Sequence, residues 1–297
     1  MALELTKILD LMNSAKSGDR RSLSQLLTAI QSGEKIPVAT SDSWTLGVTG
    51  PPGVGKSTLI GRLVEHWKSL GEKVAILAID PSSPISGGSL LADRIRMGGH
   101  TSGEDVFLRS IPLGKDVVGI SPFIGDMCSA LSECGWSRII IETVGAGQSE
   151  ISIIAFADRI LLVDGPDRGD IIQAEKAGLM EISDIIAVNK SDLPGAESTA
   201  REIELSLSLA EDDGRKVHLV SAMEGHGIEQ LLQEIESCNQ NLASNLPRIR
   251  QRLVSSWNSL LTTHPEIDSL LEKVCDGSIT LSNAIKHMGK TIEFGDD

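Results

Sequence analysis

The chain has 297 residues, of which 40% are apolar and 23% charged, a balance found in folded globular proteins and not in disordered ones. Its 27 Lys and Arg against 41 Asp and Glu leave a formal charge of −14, which sets nucleic acid and anionic membrane surfaces aside as default partners. Four scattered cysteines (Cys128, Cys134, Cys238, Cys275) form no CxxC pair, so neither a disulfide framework nor a zinc site is expected. No run approaches the roughly 18 apolar residues of a membrane span. The N-terminal stretch carries Glu4 and Asp10 and lacks a cleavage pattern, so a cytoplasmic location is expected.

In chain order, residues 1–43 place Leu3, Ile8, Leu11, Leu23, Leu26, Leu27 and Ile30 at helical spacing, broken at Ser17-Gly18-Asp19. This predicts an N-terminal helical extension of two or three helices, closed by the turn-rich Pro37–Ser43. Residues 44–238 alternate short apolar runs with helical patterns. The runs Thr45–Thr49, Val74–Ile79, Arg138–Ile141, Ile160–Val163, Asp184–Val188 and Val217–Val220 predict strands. Helices are predicted between them at Ser57–Leu70, Gly119–Cys134, Asp170–Glu181, Ala196–Ala210 and Ile228–Cys238. Strands apolar on both faces and separated by helices imply an α/β fold, a mostly parallel sheet covered by helices on both sides. Residues 239–297 return to helical spacing at Ile249, Leu253, Trp257, Leu260, Leu261, Ile267, Leu270, Leu271 and Val274, predicting a C-terminal helical extension. There Arg248, Arg250 and Arg252 read as the solvated face of a helix.

The first strand runs into Gly50-Pro51-Pro52-Gly53-Val54-Gly55-Lys56-Ser57-Thr58, the G-x-x-x-x-G-K-S pattern between a strand and a helix. Its glycines let backbone N–H groups curl around an anion, and the next helix aims its positive end at the phosphates. Lys56 is placed to reach the β and γ oxygens, and the Ser57 hydroxyl to ligate magnesium. A second element, Glu142-Thr143-Val144-Gly145, ends a buried strand. Glu142 can hold magnesium through a water, and the Gly145 amide can sense a γ-phosphate. Asp80, ending the strand VAILAID, and Asp93 are two further candidate acids for the metal, Asp80 favoured by its place at a strand's carboxyl end.

Asn189-Lys190-Ser191-Asp192 turns the reading from a general nucleotide site toward guanine. The Asp192 carboxylate can accept the ring N1–H and the exocyclic amine, a donor pair that adenine lacks, so adenine would leave a buried carboxylate unpaired. The Lys190 stem can cover the base, and Asn189 can brace neighbouring loops. A backbone amide of Ser221-Ala222-Met223 could read the guanine carbonyl. Ala146 follows Gly145 where many signalling GTPases carry a glutamine, and Gln148 comes two residues later. Slow hydrolysis of GTP to GDP is therefore expected, with Gln148 and the loop around Lys176 as candidates to complete water positioning when a partner binds.

With these residues in hand, the sequence resembles the MeaB/ArgK family of P-loop GTPases. The likeness rests on GPPGVGKST, AIDPSSP, SGGSLLADRIRM, ETVGAGQSE, KAGLMEISDIIAVNKSD and SAMEGHGIEQL in that order, with SAKSGDRRSL before them and HPEIDSLLEKV after. The resemblance implies a homodimer assembled partly through the C-terminal helices, and Asp80, Asp93 and Glu142 near magnesium beside Lys56 and Ser57. It further implies a chaperone for an adenosylcobalamin-dependent acyl-CoA mutase of methylmalonyl-CoA mutase type, gating cofactor loading and protection. An alternative is a kinase passing the γ-phosphoryl of GTP or ATP to a transport-related protein or small molecule. The segment Asp164–Asp170 is more charged than the family's usual apolar run, and Asp164–Lys176 is expected to contact the client.

Overall fold

The computed structural model describes residues 2–34, 43–81, 103–113, 121–143, 156–166, 173–209, 214–238, 246–262 and 264–291. Seven strands lie within them: β1 (Trp44–Thr49), β2 (Val74–Pro81), β3 (Val106–Leu113), β4 (Arg138–Thr143), β5 (Arg159–Asp164), β6 (Ile185–Val188) and β7 (Val217–Leu219). All pair in parallel, in the order β3-β2-β4-β1-β5-β6-β7. Ten helices accompany them: α1 (Ala2–Lys16), α2 (Arg20–Gln31), α3 (Lys56–Ser69), α4 (Ser121–Glu133), α5 (Gln173–Ile182), α6 (Ala196–Ser208), α7 (Ile228–Ser237), α8 (Leu246–Thr262), α9 (Ile267–Cys275) and α10 (Leu281–Thr291).

The strands are apolar throughout because the sheet is covered on both faces. Along β4 the two-residue period sends Ile139 and Ile141 into one core, shared with Leu23, Leu26 and Leu27 of α2 and Met127 and Leu131 of α4. Ile140, between them, enters the opposite core, with Leu59, Ile60, Leu63 and Trp67 of α3 and Leu231 and Ile235 of α7. A third cluster seats Ala196, Ala200, Ile203 and Leu207 of α6 on Leu162, Ile186 and Val188. Each leucine, isoleucine or valine among them, fully buried, contributes ~1.5–3 kcal/mol.

Six strands fall on the expected runs, and β3 is an addition. VFLRSIPL carries Arg109 and Pro112, which break the apolar signature, and it forms the sheet's edge, where proline is tolerated. Arg109 there donates to the Ser24 carbonyl, Thr28 Oγ1 and Gln31 Oε1 of α2, fastening the N-terminal hairpin to the edge strand. Asp19 starts α2 by accepting the Arg21 and Ser22 N–H groups. The reading of Arg248 as solvated is corrected. It is 2% exposed, pairs with Asp184 at 3.0 Å and donates to the Ala157 carbonyl, because α8 lies across the ends of β5 and β6. Arg252 donates to the same carbonyl at 2.8 Å, while Arg250 is exposed as expected.

Candidate functional site

In a parallel sheet all strands end on one side, and ligands collect at those carboxyl ends. β1 lies between β4 and β5, so Gly50 after β1, Glu142 in β4, Asp164 ending β5 and Asn189 after β6 gather along one edge from distant parts of the chain.

The loop Gly50–Gly55 is shaped by backbone crowding. Gly50 has φ +138°, and a Cβ there would sit 1.9 Å from the Val163 carbonyl oxygen, so β1 can turn this close to β5 only without a side chain. Gly55, at φ +92°, leads into α3, and a Cβ on it would lie 2.5 Å from Asn189 Nδ2. The Lys56 ammonium is buried and folds back over the loop, donating to the Gly50 carbonyl at 2.6 Å and the Pro51 carbonyl at 3.0 Å. A cation thus stands at the mouth of the loop, at the N-terminus of a 14-residue helix, where the macrodipole also favours an anion.

Beside it, the Ser57 hydroxyl donates to Glu142 Oε1 at 2.7 Å, although 85 residues separate them. The Glu142 side chain is buried at 7% exposure, and Thr143 Oγ1 donates to Thr49 Oγ1 at 3.1 Å, tying the ends of β4 and β1. A hydroxyl and a carboxylate in contact beside the loop are hard oxygen donors, a pair that suits magnesium. Asp80 closes β2 next to β4, where Ala78 pairs with Glu142; its side chain lies outside the described residues. Asp93, Gly145 and Gln148 also lie outside them, as do Asp167 to Asp170 and the Lys176 side chain.

The guanine-type motif comes to the same edge. Asn189, 2% exposed, donates from Nδ2 to the Val54 carbonyl at 2.8 Å and accepts at Oδ1 the Ala222 N–H at 3.0 Å, so one side chain joins three loops. Lys190 adopts φ +62°, the left-handed region that a long side chain seldom occupies, and its Nζ donates to the Gly53 carbonyl at 2.8 Å. Its stem therefore runs alongside the phosphate loop. Asp192 Oδ1 accepts from Ser221 Oγ at 2.5 Å, which orients the carboxylate, while Met223 is exposed.

Arg62 escapes sequence reading, and Asp164 takes a place at the site beyond the client contact expected of its segment. Arg62 of α3 reaches the carbonyls of Ala222 and Met223, 2.8 Å to each. Asp164, 3% exposed, accepts the Gly165 N–H at 2.9 Å, and that turn lies against Val54 and the Asn189 carbonyl oxygen. No local motif announces Arg62; only the approach of α3 to the β7 loop does.

A family model described as Methylmalonyl Co-A mutase-associated GTPase MeaB matches residues 5–276. A Pyrococcus abyssi protein whose name describes it as a GTPase is 39% identical over 242 residues, 76% of this chain and 74% of that protein. A protein of Cupriavidus metallidurans named fused isobutyryl-CoA mutase is 33% identical over 204 residues, 65% of this chain and 19% of that protein. A crystal structure of a LAO/AO transport system kinase matches at a TM-score of 0.61 and 22% identity, covering 97% of this chain and 98% of that one, and so shares the fold. Among the described residues no helix is long and apolar enough to cross a membrane. A phosphate loop after β1, a guanine-type motif after β6 at the same edge of the sheet and a family match over most of the chain converge on one assignment: this chain is a P-loop GTPase that binds GTP and GDP and belongs to the methylmalonyl-CoA mutase-associated GTPase family, MeaB.

Proposed function

We propose that the chain is a GTP-driven chaperone for an adenosylcobalamin-dependent acyl-CoA mutase, gating loading and protection of that enzyme's cofactor. The observation that carries this reading is the similarity to a segment of a fused isobutyryl-CoA mutase, alongside the family's mutase association. Joining two activities on one polypeptide holds them at high effective concentration, which serves partners that work in contact.

In this reading the backbone N–H groups of Gly53–Thr58 and the Lys56 ammonium hold the β and γ phosphates. Ser57 and Glu142, with Asp80 and Asp93, hold magnesium, which supplies charge neutralisation on the phosphate oxygens. Lys56 releases its two loop carbonyls to do this, exchanging them for anionic oxygens at little reorganisation cost. Asp192 takes the two guanine donors, and Ser221 holds it in place. Asn189 makes occupancy of the base site and the shape of the phosphate loop interdependent. The Gly145 amide and Gln148 sense and complete the γ-phosphate end. The segment Asp164–Lys176 starts from a turn that touches both loops, so it can carry the nucleotide state to a client.

Homodimerisation through residues 239–297 is part of the same proposal. Leu246, Ile249, Leu253 and Trp257 share one face of α8 and are 72%, 41%, 68% and 43% exposed, an apolar stripe of the kind that a second helix covers. The chaperone reading is tested by titrating an adenosylcobalamin-dependent mutase of the same organism against the protein loaded with GDP or with a non-hydrolysable GTP analogue. Different affinities for the two states are expected, because coupling is reciprocal. Absence of binding in both states, with GTP turnover unchanged by the mutase, overturns the reading.

A further inference from the structure

Arg62 sits one and a half turns behind the phosphate loop on α3, yet its guanidinium is spent on a loop 160 residues away. Nε donates to the Ala222 carbonyl and Nη2 to the Met223 carbonyl, each at 2.8 Å, while Nη1 pairs with Glu65 at 3.3 Å on its own helix. The Glu65 pair is half-exposed and of the i,i+3 type, which contributes little. The two carbonyl bonds differ in kind: a rigid planar fork grips consecutive peptide units, a geometry that a lysine, with one point donor, does not reproduce.

Pinning those carbonyls fixes more than the oxygens. In a trans peptide the C=O and the following N–H point in opposite directions. The Ala222 oxygen is drawn toward α3, so the Met223 N–H of the same peptide plane is turned away from it. The neighbouring Ala222 N–H is already engaged by Asn189 Oδ1 at 3.0 Å. Among the described residues the Met223 N–H has no acceptor, and it lies beyond Ser221, which orients Asp192. One loop therefore presents a donor whose direction is set by Arg62, next to the carboxylate expected to read the other edge of the base.

We propose that Arg62 is a positioning residue for guanine recognition, aiming the Met223 amide at the 6-oxo group of the base from the helix that carries the phosphate loop. The role rests on the guanine site assigned above to Asp192 and the Ser221–Met223 loop. It also ties base reading to α3, so the helix whose N-terminus meets the phosphates is the one that holds the base-reading loop.

The test compares GTP with 6-thioguanosine triphosphate, which keeps the donors read by Asp192 and replaces the 6-oxo group by sulfur, a weak acceptor. Dissociation constants are measured for the native protein, Arg62→Met and Arg62→Lys, with thermal unfolding of each in the absence of nucleotide. The native protein should bind GTP about ten-fold more tightly than the thio analogue, the worth of one directed hydrogen bond. Arg62→Met should lose most of that advantage, weakening GTP several-fold while leaving the thio analogue nearly unchanged, with its melting temperature close to native. Arg62→Lys should fall between. Equal weakening of both nucleotides, as a general loosening of the loop would give, overturns the role, as does an undiminished preference for GTP in Arg62→Met. A native protein that binds both nucleotides equally shows instead that the loop does not read the 6-oxo group, and that result removes the site assignment together with the role of Arg62.

Discussion

Asn189→Ala is the substitution that best probes how the site is held together. Its amide spans two buried partners, the Val54 carbonyl at 2.8 Å and the Ala222 N–H at 3.0 Å, and it is itself 2% exposed. Truncation removes two neutral hydrogen bonds, ~1 kcal/mol each net, and leaves a buried carbonyl and a buried N–H that each cost ~1–3 kcal/mol when unpaired. Local relaxation recovers part of this, so we expect ~2–4 kcal/mol of lost stability in nucleotide-free protein, about 10 °C in melting temperature. GDP affinity should fall as well, because the phosphate loop and the base loop are no longer held in register. Asn189→Asp sharpens the test: it keeps an oxygen for the Ala222 N–H and sets a second one against the Val54 carbonyl. It should therefore be at least as damaging as alanine despite its near-identical shape. The assay is urea unfolding with and without GDP, with calorimetric titration of GDP. A loss below ~1 kcal/mol with unchanged GDP affinity, in a site where two buried groups have been orphaned, would refute the reasoning.

Gly50→Ala places a Cβ 1.9 Å from the Val163 carbonyl oxygen at φ +138°, so soluble folded protein with native GDP affinity is not expected; recovery of such protein in a binding assay would contradict the crowding argument. Asp192→Asn should exchange preference for guanosine nucleotides for xanthosine nucleotides, read as a reversal in the ratio of their dissociation constants, and an unchanged ratio would remove Asp192 from base reading. Glu142→Ala leaves the Ser57 hydroxyl without its 2.7 Å partner and should lower the dependence of GTP turnover on magnesium at least ten-fold, measured by phosphate release across a magnesium titration. Burial pushes the Cys134 thiol up to about 11 and Cys128 higher still, while Cys275 is exposed, so alkylation at about pH 8 should modify Cys275 first and all four cysteines only after unfolding. Mass mapping that finds Cys128 or Cys134 modified as fast as Cys275 would show that the core around α4 opens readily.

Which parts of this molecule can be read from the chain alone follows from the range over which each interaction acts. The phosphate loop is contiguous, and its conformation depends on glycines within six residues of one another, so it is legible as a motif. The same holds for Asn189-Lys190-Ser191-Asp192, whose left-handed Lys190 is part of a short turn. The strands from β1 to β6, β3 excepted, are legible because burial on both faces demands unbroken apolar runs, and the helices between them because burial on one face demands a 3.6-residue period. Those local rules determined the fold class and named the candidate residues of the nucleotide site.

The arrangement of those parts was decided by tertiary structure. β3 carries an arginine and a proline because an edge strand with one neighbour tolerates a missing N–H, and because Arg109 finds acceptors on α2 that no sequence window contains. Arg248 has the surroundings of a surface residue in sequence, and only the crossing of α8 over Asp184 and Ala157 turns it into a buried ion pair. Likewise Ser57 meets Glu142 across 85 residues, and Arg62 meets Ala222 across 160. A hydrogen bond reaches about 3 Å and is indifferent to separation along the chain, so its partners are set by how elements pack. Sequence could name the chemistry of this site, whereas packing decided which side chains hold that chemistry in place.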